Sequence, residues 1–146
     1  MKTLSYLFLL SLLFTFACGE QPTTIEIPAR TISDSLALLT PAINSVNTIG
    51  LSDTLKFVWR KPTDISNITR YRVVLDTDSD FTNGSVLRVE TLGDTSLALP
   101  YSRLNELSAF TSSQRSKLLN YTVFVASGNF ELRSKDIFPI TITLNP

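Results

Sequence analysis

From Leu36 to the C-terminus, apolar and polar residues alternate in short runs bounded by Pro, Gly, Asp and Asn, the period-two rhythm of half-buried β-strands. LALLTP (36–41) reads as a first strand ended by Pro41. In TLKFVWR (54–60), Leu55, Phe57 and Trp59 share one face and Lys56, Val58 and Arg60 the other. RYRVVLD (70–76) repeats the device, with Tyr71, Val73 and Leu75 inward and Arg70, Arg72, Val74 and Asp76 outward. SVLRVET (85–91), TSLALP (95–100), YTVFVAS (121–127) and FPITITL (138–144) supply four more strands. Seven strands of this kind predict an all-β antiparallel sandwich. The rhythm breaks over 102–120, where Leu104, Leu107 and Phe110 fall at helical spacing. Thr111 with Gln114 resembles a capping box for a second short turn leading to Leu118. A helical insertion is expected there, packed over a sheet edge or an end of the sandwich.

The N-terminus follows a different pattern. Lys2 precedes an apolar run from Leu4 to Ala17, interrupted only by Ser5, Ser11 and Thr15, and the lone cysteine, Cys18, follows directly. The run falls short of the roughly 20 apolar residues that cross a bilayer, and reads as an export signal. With small Ala17 before Cys18, it resembles the bacterial lipoprotein signal class, in which that cysteine is acylated and becomes the mature N-terminus. Thr15 and Phe16 depart from that class, which favours a Leu-like and a small residue there. The alternative is an ordinary signal peptide with an incidental Cys18. Residues 19–35, GEQPTTIEIPARTISDS, hold two prolines and no sustained period, as a tether would. The expected organisation is a signal over 1–17, acylated Cys18 and tether over 18–35, and a single sandwich over 36–146.

Composition narrows the chemistry. Thirteen basic and thirteen acidic residues balance, so no net field favours nucleic acid. With no His and one Cys, the chain lacks Cys/His zinc sites, Ser-His-Asp and Cys-His catalysis, and any internal disulfide.

The strands carry a family resemblance. Leu39-Thr40-Pro41, then Phe57-x-Trp59 with Pro62, Tyr71-x-Val73, and Tyr121-x-Val123-x-Val125 resemble fibronectin type III strands A, B, C and F. LDTDSDFTN (75–83), Leu104-Asn105-Glu106-Leu107 and the closing PITITL are similar to the first domain of the starch-utilisation outer-membrane lipoproteins, the SusE/SusF group of Bacteroidetes. The resemblance covers roughly residues 36–146 and rests on structural motifs, so it implies fold more than function. Those lipoproteins carry further domains that bind sugar, whereas only the one fibronectin-like domain is expected here.

Candidate chemistry is sparse. Asp76-x-Asp78-x-Asp80 begins like a calcium loop, but Phe81 stands where an EF-hand has Gly and Leu87 where it has Glu. An Asp-rich turn with Phe81 packed inward is the expected reading, and no metal site is assigned. Asp94, Glu90 and Glu106 form no recognisable acid pair, and Ser116-Lys117 and Ser134-Lys135 read as surface; no catalytic residue is assigned. Trp59, Tyr71 and Tyr121 belong to the core by their phase, leaving Tyr101, Phe124 and Phe130 as the possible exposed aromatics. Asn67-Ile68-Thr69, Asn83-Gly84-Ser85 and Asn120-Tyr121-Thr122 match the N-glycosylation sequon, which is incidental in a bacterial lipoprotein. Asp34-Ser35-Leu36 and Asp53-Thr54-Leu55 resemble the O-glycosylation motif of exported Bacteroidetes proteins.

The expected protein is a non-catalytic, lipid-anchored accessory or binding protein of the outer membrane, facing the cell surface or the periplasm. Its partners are the membrane, through Cys18, and a protein or a glycan; no cofactor and no nucleic acid are expected. The alternative is a structural spacer or assembly subunit of an envelope complex. The candidate binding face is Arg70, Arg72, Val74 and Phe124, an apolar centre within a basic rim beside Thr122, Thr141 and Thr143. The competing expectation buries Phe124 beneath the 102–120 insertion.

Overall fold

The computed structural model describes residues 31–33, 35–81 and 86–146. The signal segment, Cys18 and the first part of the tether lie outside the described residues. So do Asp34 of one O-glycosylation-like motif and the Asn83-Gly84-Ser85 sequon.

Ten strands and one short helix are described. They are β1 Thr31–Ser33, β2 Leu38–Thr40, β3 Val46–Gly50, β4 Thr54–Trp59, β5 Ile68–Asp76, β6 Leu87–Thr91, β7 Ser96–Pro100, α1 Tyr101–Asn105, β8 Ser116–Ser127, β9 Phe130–Ser134 and β10 Phe138–Asn145. β2, β4 and β7 form a three-stranded sheet. The other sheet holds seven strands, with β6-β5-β8 continuing through β10 to β3 and through β9 to β1.

The order follows from the alternation. Leu55, Phe57 and Trp59 of β4 are buried, and so are Tyr71, Val73 and Leu75 of β5 and Leu119, Tyr121, Val123 and Val125 of β8. Ile140, Ile142 and Leu144 of β10 complete one continuous core between the sheets. Phe57 meets Tyr121 edge-on with ring centroids 5.1 Å apart, and Trp59 lies 5.4 Å from Tyr71, so the aromatics join the sheets. Tyr121 donates its hydroxyl to the Pro41 carbonyl at 2.7 Å, fastening the first strands to β8.

Strand β8 organises the large sheet. One flank pairs with β5 over Ile68 to Asp76, and the other pairs first with β9 and then with β10. Together β9 and β10 form one broken strand that runs back along β8. β1 lies parallel to β9, and β3 lies parallel to β10. Between them the chain crosses to the small sheet as β2, and Thr40-Pro41 is a cis peptide.

Three expectations change. The sandwich begins at Thr31 rather than Leu36, since β1 pairs with β9 and shortens the tether expected over 18–35. The 102–120 segment holds only one helical turn, α1, while β8 starts at Ser116 and places Leu118 on a strand. Leu104, Leu107 and Phe110 still enter the core, and Thr111 Oγ1 accepts from the Gln114 N–H at 3.1 Å, closing a turn but no helix. Three strands, β1, β3 and β9, fall where none was expected.

Candidate functional site

The outer face of the seven-stranded sheet brings the four candidate residues together in the expected register. Arg72 pairs across the strands with Phe124, and Val74 with Thr122. Arg70 lies one step further along, opposite Ala126. Thr141 and Thr143 share this outer face on β10, beside the start of β8.

Their exposure differs from the expectation. Val74 and Phe124 are each only 2% exposed, forming a second small cluster with Phe81 and partly buried Ile137. The cover comes from the β5–β6 connection and the break between β9 and β10, not from the 102–120 insertion. Phe81 reaches this position with φ of +57°, a left-handed conformation that costs a bulky residue energy unless burial holds it. Phe81 is therefore packed in, as expected, but onto the outer face.

Electrostatics close the face further. The Arg72 guanidinium lies 5.0 Å from the centre of the Phe124 ring and donates to Glu131 Oε2 at 2.6 Å, with its side chain 18% exposed. Arg70 meets Glu90 at 3.5 Å in a more open pair. Thr122, fully buried, donates to the Asp136 carbonyl at 2.9 Å. The basic rim is thus largely matched by carboxylates, and an anchoring role for Phe124 would require Phe81 and Ile137 to move aside.

The Asp-rich loop behaves as a turn. Buried Asp76 accepts from the Asp78 N–H at 3.2 Å through Oδ1, the Asx pattern in which a carboxylate stands in for a backbone acceptor. Among the described residues, no group of three or more Asp, Glu or Cys side chains converges to hold a metal ion.

The remaining candidates are engaged elsewhere. Glu90 and Glu106 lie in separate ion pairs, the latter with Arg103 at 2.7 Å. Ser134 is buried and donates to the Leu36 carbonyl, and the Ser116 and Thr143 hydroxyls lie 2.9 Å apart. Burial raises the Tyr71 hydroxyl pKa. Tyr121 is raised further, by burial first and then by the Asp136 charge. Both phenols are core groups, not poised acids. Tyr101 is buried too, leaving Phe130 as the one exposed aromatic among the described residues.

Sequence reasoning passed over a different group on the same sheet. Val46 and Leu118 are exposed, and each pairs with Thr141, one from either side. The signal was present as Val46-x-Thr48 and Leu118-x-Asn120, but neither segment had been assigned to a strand.

No family model and no curated protein matches the chain. Among solved structures, extracellular domains 3–5 of Drosophila OTK are similar at 11% identity with a TM-score of 0.37, covering 79% of this chain and 37% of that one. The strand order itself, with β2-β4-β7 facing β3-β10-β8-β5-β6, makes the described domain an immunoglobulin/fibronectin type III-like sandwich with a short helix between its E and F strands.

Proposed function

We propose that this chain is a non-catalytic, lipid-anchored binding protein of the bacterial outer membrane, held at an acylated Cys18 and presenting one sandwich to a protein partner. The observation that carries the reading is the apolar run from Leu4 to Ala17 ending on the only cysteine. Stable anchoring needs more than one acyl chain, which the lipoprotein modification provides.

The fold supports a consistent geometry. The chain enters at Thr31, at the end of the sandwich that also holds the 60–67 connection and the Gly128-Asn129 turn. The 51–53 turn, residues 77–81 after β5, α1 and Pro146 lie at the other end. On this reading the end that Thr31 enters is the one nearer the lipid along the chain.

A protein partner is favoured over a glycan because sugar rings stack on exposed aromatic faces, and only Phe130 offers one among the described residues. The glycan reading, drawn from the resemblance to SusE/SusF-type lipoproteins, has no other platform here. The spacer reading differs in needing no ligand at all. Metabolic palmitate labelling tests the anchor: wild type takes the label and Cys18→Ser does not. Label retained by Cys18→Ser would overturn the reading.

A further inference from the structure

We infer that residues 77–81 form a latch on the outer face of the large sheet, which opens at Phe81 while the core between the sheets stays folded, and so controls access to Val74 and Phe124.

The closed arrangement is held at one point. Thr77, Asp78, Ser79 and Asp80 are all exposed, and within the turn only Phe81 buries its side chain. It packs with Val74, Phe124 and Ile137 in a cluster that the sheet itself separates from the main core. Val73, Leu75, Val123 and Val125, the chain neighbours of Val74 and Phe124, point to the other side. Lifting Phe81 from its seat therefore uncovers a few side chains and leaves the β5–β8 ladder and the packing between the sheets in place. A local opening of this size needs less free energy than unfolding of the domain.

Three features work against closure. Phe81 is held at φ of +57°, whereas Asn44 and Asn67, the other non-glycine residues with positive φ among those described, are of the type that tolerates it. Asp76, where the turn leaves β5, is 1% exposed; its Oδ1 serves the Asp78 N–H, and its Oδ2 finds no partner among the described residues. The Arg72 Nε, in the guanidinium beside the Phe124 ring, finds none either. Polar groups kept from water without partners destabilise the state that holds them so. Against these stand the burial of Phe81 and one bond from Asn120 Nδ2 to the Thr77 carbonyl at 3.2 Å. Strain of this kind collects at parts that move. The latch supplies the movement that an anchoring role for Phe124 requires. That consequence rests on the protein-binding reading, whereas the opening itself does not.

Thiol labelling reads the opening without any partner or lipid. In the full chain carrying Cys18→Ser, a single cysteine is placed under the latch, Val74→Cys, or in the core, Val123→Cys; neither site is more than 2% exposed. Iodoacetamide should label Val74→Cys at least about tenfold faster than Val123→Cys, because the latch opens at lower cost than the domain. With urea added well below the unfolding midpoint, the Val123→Cys rate should climb steeply and the Val74→Cys rate hardly at all, since the latch exposes little surface. Phe81→Ala added to Val74→Cys should raise its rate by a further factor of about ten, with Trp59 emission and circular dichroism showing the same fold. Equal rates with equal urea slopes at the two positions would show that Val74 is reached only by global unfolding, and would overturn the inference. A Val74→Cys rate indifferent to Phe81→Ala would overturn it as well.

Discussion

Phe124 shows how two residues remote in sequence decide what a third can do. Its phase on β8 correctly puts it on the outer face opposite Arg72, yet Phe81 and Ile137 cover it. Phe124→Ala should then destabilise the domain by about 3 kcal/mol in urea unfolding, as a large-to-small change at a buried site. An unchanged midpoint would mean that the small cluster is open in solution. Trp59, the only tryptophan, was legible from phase alone and is buried; its native emission should be blue-shifted and move red on unfolding. Tyr121 adds a pH dependence. Its ionised form is disfavoured in the fold, so its pKa is raised above the unfolded value of about 10, and its stabilising contribution is complete below that pH and declines above it. Tyr121→Phe should cost about 1 kcal/mol near neutral pH by orphaning the Pro41 carbonyl, and should lessen the alkaline loss of stability. Tyr71 shifts in the same direction, so some of the slope should remain. An alkaline limb as steep in Tyr121→Phe as in wild type would contradict the assignment.

At the scale of elements, turn chemistry was the part of the sequence least used. β8 and β9 join through Gly128-Asn129, and only Gly128 has a positive φ, +57°, the pattern of a type II′ hairpin with Gly at its first central position. Gly128→Ala should destabilise by about 1 kcal/mol or more, because a Cβ is strained in that conformation even where space is open. Thermal melting would check this, and a rise in midpoint would contradict it. β9 and β3 escaped sequence reading for different reasons. β9, FELRS, carries its charges on one face of an edge-side hairpin, and β3, VNTIG, buries only Ile49 fully. Both are held chiefly by ladders to β8 and β10, which no local pattern advertises. The 102–120 segment misled in the opposite way. Helical spacing of Leu104, Leu107 and Phe110 is also what one short helix followed by tight turns presents when it plugs the end of a sandwich. At the Asp-rich loop, calcium should leave the melting temperature unchanged, because Asp76 already serves the Asp78 N–H; an upward shift abolished by Asp78→Ala would show a bound ion.

Across the whole molecule, one core cluster spans both sheets, from Leu38 on β2 to Leu144 on β10, so the domain should unfold as one cooperative unit. Trp59 emission and far-ultraviolet circular dichroism should trace the same denaturant transition; two separated transitions would mean that the sheets come apart independently. The sequence by itself determined the class of fold and the inward faces of β4, β5, β8 and β10, because period two is imposed on each strand locally by its own pleat. It also excluded Cys/His zinc sites, His-dependent triads and an internal disulfide within this sequence, since without His and with one Cys those groups are lacking in any conformation. Only the tertiary structure decided which outward residues meet solvent. Alternation assigns a side of the sheet, whereas burial depends on what crosses above it: Phe81 and Ile137 come over Phe124, and no described residue comes comparably over Val46 and Leu118.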